Sequence, residues 1–186
     1  MSLDYPRDQM SEIFVEGFYT WISRFSKDKA LLKSVFEHMF LPENFFLAYD
    51  GSKVTAMLAI TKGVSPISLN RRIFVEHMGF FKGNIAYFLL RHYMVRNHYP
   101  FPLAPTTGII EFVATHPDYR GQGIAGELME RAMCESPYTS FILEVADTNI
   151  SAMKLYTRLG FREMMRIKAP RRSGVNFFLY MRRSDE

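Results

Sequence analysis

One cysteine, Cys134, among 186 residues excludes an intramolecular disulfide and suits a reducing, cytoplasmic setting. Cys134 falls on a helix expected after residue 123 and reads as a small apolar side chain. No Cys/His cluster has zinc-ligand spacing, so no metal is expected. Long hydrophobic runs are lacking too. The longest, Ile85 to Val95, is broken by Arg91 and His92 and falls short of the roughly 20 residues that a membrane span requires. The N-terminus, Met1 to Asp8, carries early acids and no apolar segment of signal-peptide length. Repeats and low-complexity linkers are missing as well. A chain of this length is expected to form one domain, residues 1–186, burying roughly two-thirds to three-quarters of its unfolded surface. These absences predict a soluble, unexported protein with no membrane partner. The net charge of +4, from 23 basic and 19 acidic residues, favours anionic ligands and says nothing of fold.

Apolar periodicity supplies the elements. Ser11 to Phe25 and Lys29 to Phe40 carry apolar residues at helical spacing, and Asn44 to Tyr49 and Lys53 to Thr61 read as strands joined at Asp50-Gly51, a strong hairpin signal. Between Pro66 and Pro105 the pattern changes to an insert. Asn70 to Phe80 and Asn84 to Asn97 look helical, and Tyr99 to Pro105 looks like an extended loop. Gly108 to Thr115 reads as a buried strand carrying one carboxylate, Glu111, and closed by Pro117. A helix follows, then a strand Phe141 to Val145, a helix Asn149 to Leu159, and strands Phe161 to Lys168 and Val175 to Arg182 joined by a turn at Ala169 to Gly174.

The most informative segment is Arg120-Gly121-Gln122-Gly123-Ile124-Ala125, set between strand and helix. Two glycines around one residue allow a tight turn that presents consecutive N–H groups at a helix start, where the macrodipole favours an anion. Such a turn suits a phosphate. Gly121 to Gly126 also fits the dinucleotide fingerprint G-x-G-x-x-G, with Glu144 as the ribose-binding acid of an NAD-dependent oxidoreductase. Against that, His116 to Arg120 separate the strand from the glycines, and too little chain follows Glu144 for a doubly wound sheet.

Residues 120–125 match the Q/R-x-x-G-x-G/A motif of the GCN5-related N-acetyltransferases, and the lead-in Thr115-His116-Pro117-Asp118-Tyr119 is similar to that family's. Asn149 to Phe161 resembles its second signature, in which Asn opens a helix, Tyr lies on it and Gly-Phe ends it. The resemblance covers residues 108–165 and implies an α/β (α+β) acyl-CoA N-acyltransferase fold. That fold is a mixed, mostly antiparallel sheet flanked by helices, here with a helical insert, about residues 66–105, before the central strand. The family's usual first strand has little room before the first helix, so it is short or missing.

The resemblance further implies acetyl-CoA as co-substrate and a primary amine, on a small molecule or a protein, as acceptor. CoA is a polyanion, so the basic charge requires no nucleic acid. Homodimerisation stays open. Gly121, Gln122, Gly123, Ile124 and Ala125 are expected to hold the pyrophosphate, and the backbone of Phe112, Val113, Ala114 and Thr115 the pantetheine. Arg120 either adds a bond to phosphate or is solvated, and Asn149 either contacts CoA or caps its helix. Tyr156 is the family-matched acid for the departing thiolate, against plain core packing. Glu111 is the candidate base; alternation would put Glu111, Val113 and Thr115 on one face. Direct attack by the amine is expected, since no Ser or Cys pairs with an evident base; a catalytically silent acyl-CoA sensor is the alternative. His116 is expected to be exposed. The basic insert reads as a solvated face or as an attractor of acidic acceptors.

Overall fold

Capping side chains and apolar spacing set the helices that frame the sheet. In the computed structural model, which describes residues 5–95, 99–170 and 174–184, α1 (Tyr5–Ile22) and α2 (Lys29–Glu37) pack together. Asp28 opens α2 by accepting hydrogen bonds from Ala30 N at 2.9 Å and Leu31 N at 3.1 Å, which satisfies two orphan donors of the first turn. Helix α1 starts ahead of the expected Ser11. Pro6 in its first turn has no N–H to leave unpaired, and Asp8 complements the positive helix end.

Strands β1 (Phe46–Asp50), β2 (Lys53–Thr61), β3 (Thr107–Thr115), β4 (Ser140–Ala146), β5 (Arg162–Lys168) and β6 (Phe177–Ser184) form one sheet of order β1-β2-β3-β4-β6-β5. Helices α3 (Arg71–Met78) and α4 (Phe80–Leu90) and a π turn at Arg91–Val95 stand between β2 and β3, α5 (Ile124–Glu135) follows β3, and α6 (Ile150–Arg158) follows β4. The expected succession of elements is therefore present, and no strand precedes α1 among the described residues. Only β3 and β4 pair in parallel. A doubly wound parallel sheet is thereby ruled out, and the dinucleotide reading of Gly121 to Gly126 goes with it. Gly126 serves packing instead: a Cβ there would meet Leu155 of α6 at 3.3 Å.

Each face of the sheet carries its own core. On one, Phe14, Phe36, Phe40 and Phe74 from α1–α3 and their connections cluster with Met57 and Ala114; on the other, Met129 and Tyr156 from α5 and α6 cluster with Leu58, Ile110 and Leu143. No helix among the described residues is long and apolar enough to cross a membrane.

Several boundaries differ from expectation. Asp50 pairs with Lys53, so the hairpin turn is Gly51-Ser52, and the Asp50 carboxylate is free to accept the Tyr119 hydroxyl at 2.8 Å. Asn70 caps α3, and Gly79, at φ 79°, breaks the chain between α3 and α4, so α4 begins at Phe80 rather than Asn84. The end of the expected helix to Asn97 and residues 171–173 of the last turn lie outside the described residues.

The departure that matters most is in β3. Ala59 pairs with Glu111 and Met57 with Ala114, so Leu58 alone faces both Phe112 and Val113. Phe112 is the extra residue of this bulge, at φ 56°, a left-handed conformation that a bulky residue seldom takes. The bulge overturns the expected alternation. Phe112 packs into the α1 core, while Val113 turns to the α5/α6 core beside Ile110; Glu111, Val113 and Thr115 do not share one uninterrupted face.

Candidate active site

The glycine turn sits where β3 hands the chain to α5. Gly121 and Gly123 have φ of 77° and 86°, a region open to glycine at no steric cost. Gly123 is the N-cap of α5 and offers no side-chain cap. Among the described residues the N–H groups of Gly121, Gln122, Gly123, Ile124 and Ala125 find no acceptor, and the first paired one, Gly126 N, donates to Gly123 O at 2.8 Å. A Cβ on Gly121 would meet nothing within 4 Å, and one on Gly123 only Glu127 Oε1 at 3.9 Å. Unpaired donors at a helix start, beneath empty space, fit a phosphate.

Beside this turn the sheet opens. Thr107 to Ile110 pair in parallel with Ser140 to Leu143, and the ladder stops there, although β3 runs on to Thr115 and β4 to Ala146. Phe112, Val113, Ala114 and Thr115 thus border a gap whose far side is Glu144 to Ala146. Backbone groups along such a gap can pair with an extended ligand as they would with a strand.

Glu111 stands at the head of the gap. Its Oε2 accepts from Thr61 Oγ1 at 3.1 Å and its Oε1 from Tyr99 Oη at 3.4 Å. Burial pushes its carboxyl up to about 7 against those two bonds, with Glu144 adding to the rise. A carboxyl there changes protonation near neutral pH, as a proton acceptor should. Burial, then the charge of Glu111, holds the Tyr99 phenol well above its usual value. Glu144 is likewise raised by burial, opposed by a hydrogen bond from Tyr180.

Tyr156 lies on the opposite, α5/α6 face, 6% exposed, with its ring against Phe161 and its phenol raised by burial. Its hydroxyl donates to no described residue. Asn149 caps α6, its Oδ1 accepting from Ala152 N at 3.2 Å and Ser151 Oγ at 3.1 Å. Arg120 is exposed, yet it is tied to the carbonyls of Thr115 and Glu16, each at 3.3 Å, and so joins the end of β3 to α1. Gln122 donates to Asp118 O at 3.1 Å. His116 is buried rather than exposed, because its ring closes the β3 end: Nδ1 accepts from Asp118 N at 3.3 Å, and Nε2 lies 3.6 Å from Glu12. Sequence reasoning missed Thr61 and Tyr99 altogether and gave Glu144 only a dinucleotide role. Glu144 had a legible signal, a lone carboxylate in an apolar strand, the same signal that singled out Glu111.

The raised Glu111 carboxyl makes stability depend on pH. Its folded value lies above the ordinary 4.5, so the stability it contributes is fully present below about pH 4.5 and is lost by about pH 7. Glu111→Gln removes that loss. The fall in Tm between pH 5 and pH 8 should shrink by several degrees, since about 1 kcal/mol moves Tm by about 2–4 °C at this size. The raised Glu144 keeps a residual slope in the same direction. Thermal unfolding across that window checks this, and an unaltered slope contradicts the assignment.

Comparison with known proteins agrees with this architecture. An N-acetyltransferase from Staphylococcus aureus Mu50 superposes with a TM-score of 0.64 at 16% identity, covering 97% of this chain and 96% of that one. A second acetyltransferase structure gives 0.60 at 14%, with 96% of each chain covered. These likenesses concern the fold. Mitochondrial methylmalonyl-CoA mutase from Homo sapiens is 30% identical over 156 residues, covering 74% of this chain; the chain spans 20% of the mutase's length, so the similarity is to a segment of it. The GNAT acetyltransferase family model matches residues 7–161. With the six-stranded sheet, the opened β3–β4 pair and the unpaired glycine turn in place, the chain belongs to the GNAT acetyltransferase family.

Proposed function

We propose that the protein transfers an acetyl group from acetyl-CoA to a primary amine by direct attack, with Glu111 as base and Tyr156 as acid. One arrangement carries this reading: the β3–β4 gap leads from the donor-rich turn at residues 121–125 and has a near-neutral carboxyl on one face of the sheet and a phenol on the other. The acceptor then approaches from the α1 face and the thiol departs toward α6.

The turn holds the pyrophosphate through its N–H groups, and the backbone of residues 112–115 holds the pantetheine. An alkyl ammonium has a pKa of about 10.4 and must lose a proton before it attacks; Glu111 accepts it, directly or through water. Donors at the bulge polarise the carbonyl. Tyr156, its phenol kept protonated by burial, gives a proton to the leaving sulfur. Asn149 acts as a helix cap and Arg120 as a tie between β3 and α1, so neither is needed for chemistry.

The cofactor seat is tested by Gly123→Val. A branched side chain at φ 86° fills the space over the turn and strains it, so acetyl-CoA affinity measured by calorimetry should fall at least tenfold; unchanged affinity contradicts the seat. The two chemical roles separate by pH. Tyr156→Phe keeps the ring packing and should lower kcat by on the order of 10²-fold. Glu111→Gln should lower kcat/KM at pH 7 and recover toward wild type as rising pH deprotonates the free amine. Uniform loss at every pH makes Glu111 structural, and an unchanged kcat for Tyr156→Phe returns that ring to the core.

A further inference from the structure

Two carboxylates stand at the point where β3 and β4 part, and no described cation answers either. Ile110 pairs with Leu143, so Glu111 and Glu144 are the next residues on their strands. They project on one face, Glu111 alternating with Ile110 as Ile109 does and Glu144 with Leu143 as Ile142 does; Ile109 and Ile142 pack together there with Tyr180. Their partners are hydroxyls: Thr61 and Tyr99 for Glu111, and Tyr180, which pairs with Glu144 across the β4–β6 ladder. Glu144 is open to solvent, yet protein surrounds it closely enough to raise its carboxyl.

Aromatic rings continue the same face. Phe178, two residues before Tyr180 on β6, lies under Trp21 of α1 with ring centroids 5.9 Å apart, and Tyr180 meets Phe101 at 5.2 Å. Aromatic faces and unanswered carboxylates both favour an organic cation. The reaction uses only one of the two negative charges. A monoamine that has surrendered its proton to Glu111 is neutral and leaves Glu144 without a counter-charge among the described residues.

We propose that Glu144 and the rings of Trp21, Phe178 and Tyr180 seat a second cationic group of the acceptor, so that the preferred acceptor is a short diamine. This rests on the acetyl-transfer reading above. In the step, the first ammonium gives one proton to Glu111, its nitrogen forms the C–N bond as the thioester C–S bond breaks, the sulfur takes a proton from Tyr156, and the second proton shed by the nitrogen passes through water to restore that phenol. The second ammonium stays charged against Glu144 throughout. Glu144 is a specificity residue here and transfers no proton.

The test compares diaminobutane, butylamine and aminobutanoate, three primary amines of one chain length, in CoA release with the intact protein. Wild type should prefer diaminobutane to butylamine by about tenfold in kcat/KM, the usual scale of one charge-assisted contact, and should disfavour aminobutanoate further. Glu144→Gln should bring the diamine-to-monoamine ratio to within about twofold. A wild type that does not discriminate, or a ratio unmoved in Glu144→Gln, overturns the proposal. Thermal shift with diaminobutane in the presence of CoA provides a readout free of turnover: wild type should be stabilised and Glu144→Gln should not. Stabilisation without CoA release from any amine refutes acetyl transfer and leaves the cation seat standing. Equal CoA release from diamine and monoamine refutes the seat and leaves transfer standing.

Discussion

The bulge at Phe112 is the constraint on which the rest of the site depends. One extra residue in β3, held at φ 56°, sends Phe112 into the α1 core and Val113 into the α5/α6 core. A non-glycine residue in that region costs roughly 1–3 kcal/mol. Its ring lies within 6.4 Å of the Phe14, Phe18 and Phe45 rings, and aromatic contacts of about 0.5–1.5 kcal/mol each offset a cost of that size. The strained residue lies two positions beyond the last β3–β4 pair, Ile110 with Leu143. Aromatic packing on one face of the sheet therefore keeps the sheet open at its centre.

Opening the sheet there has electrostatic consequences. At the parting Glu111 and Glu144 lie on one face of the sheet, where burial raises both carboxyls. The phenol of Tyr156 is raised by burial on the other face. One gap thus has a near-neutral carboxyl on one face of the sheet and a buried phenol on the other, and at its end the α5 terminus presents N–H groups that find no described acceptor. The Arg120 and His116 contacts tie the end of β3 to α1, bracing the strand that carries the gap.

Much of this was legible in the residues. The succession of helices and strands, the turn at Gly121 to Ala125 and the prominence of Glu111 follow from periodicity, glycine spacing and an isolated carboxylate in an apolar run, while Tyr156 stood out through the resemblance of Asn149 to Phe161 to the family's second signature. The bulge was not legible, because nothing in Ile110-Glu111-Phe112-Val113 breaks strand propensity; the extra residue is imposed by the register of β2 and by rings from α1. The burial of His116 depends on Glu12 and Asp118, one of them far away in sequence. Asp50 was drawn into β1 by its pairing with Lys53, which local turn chemistry does not reveal. The neighbouring carboxylates likewise needed the parallel pairing of β3 with β4, a long-range fact.

Amide hydrogen exchange, followed residue by residue with and without acetyl-CoA, tests the central claim most directly. If the gap is the seat, protection should rise together at residues 112–115, at 121–125 and at 144–146, while the paired residues 107–110 and 140–143 change little. Protection confined to another surface, or a β3–β4 gap already as protected in the free protein as the ladder before it, would contradict the account.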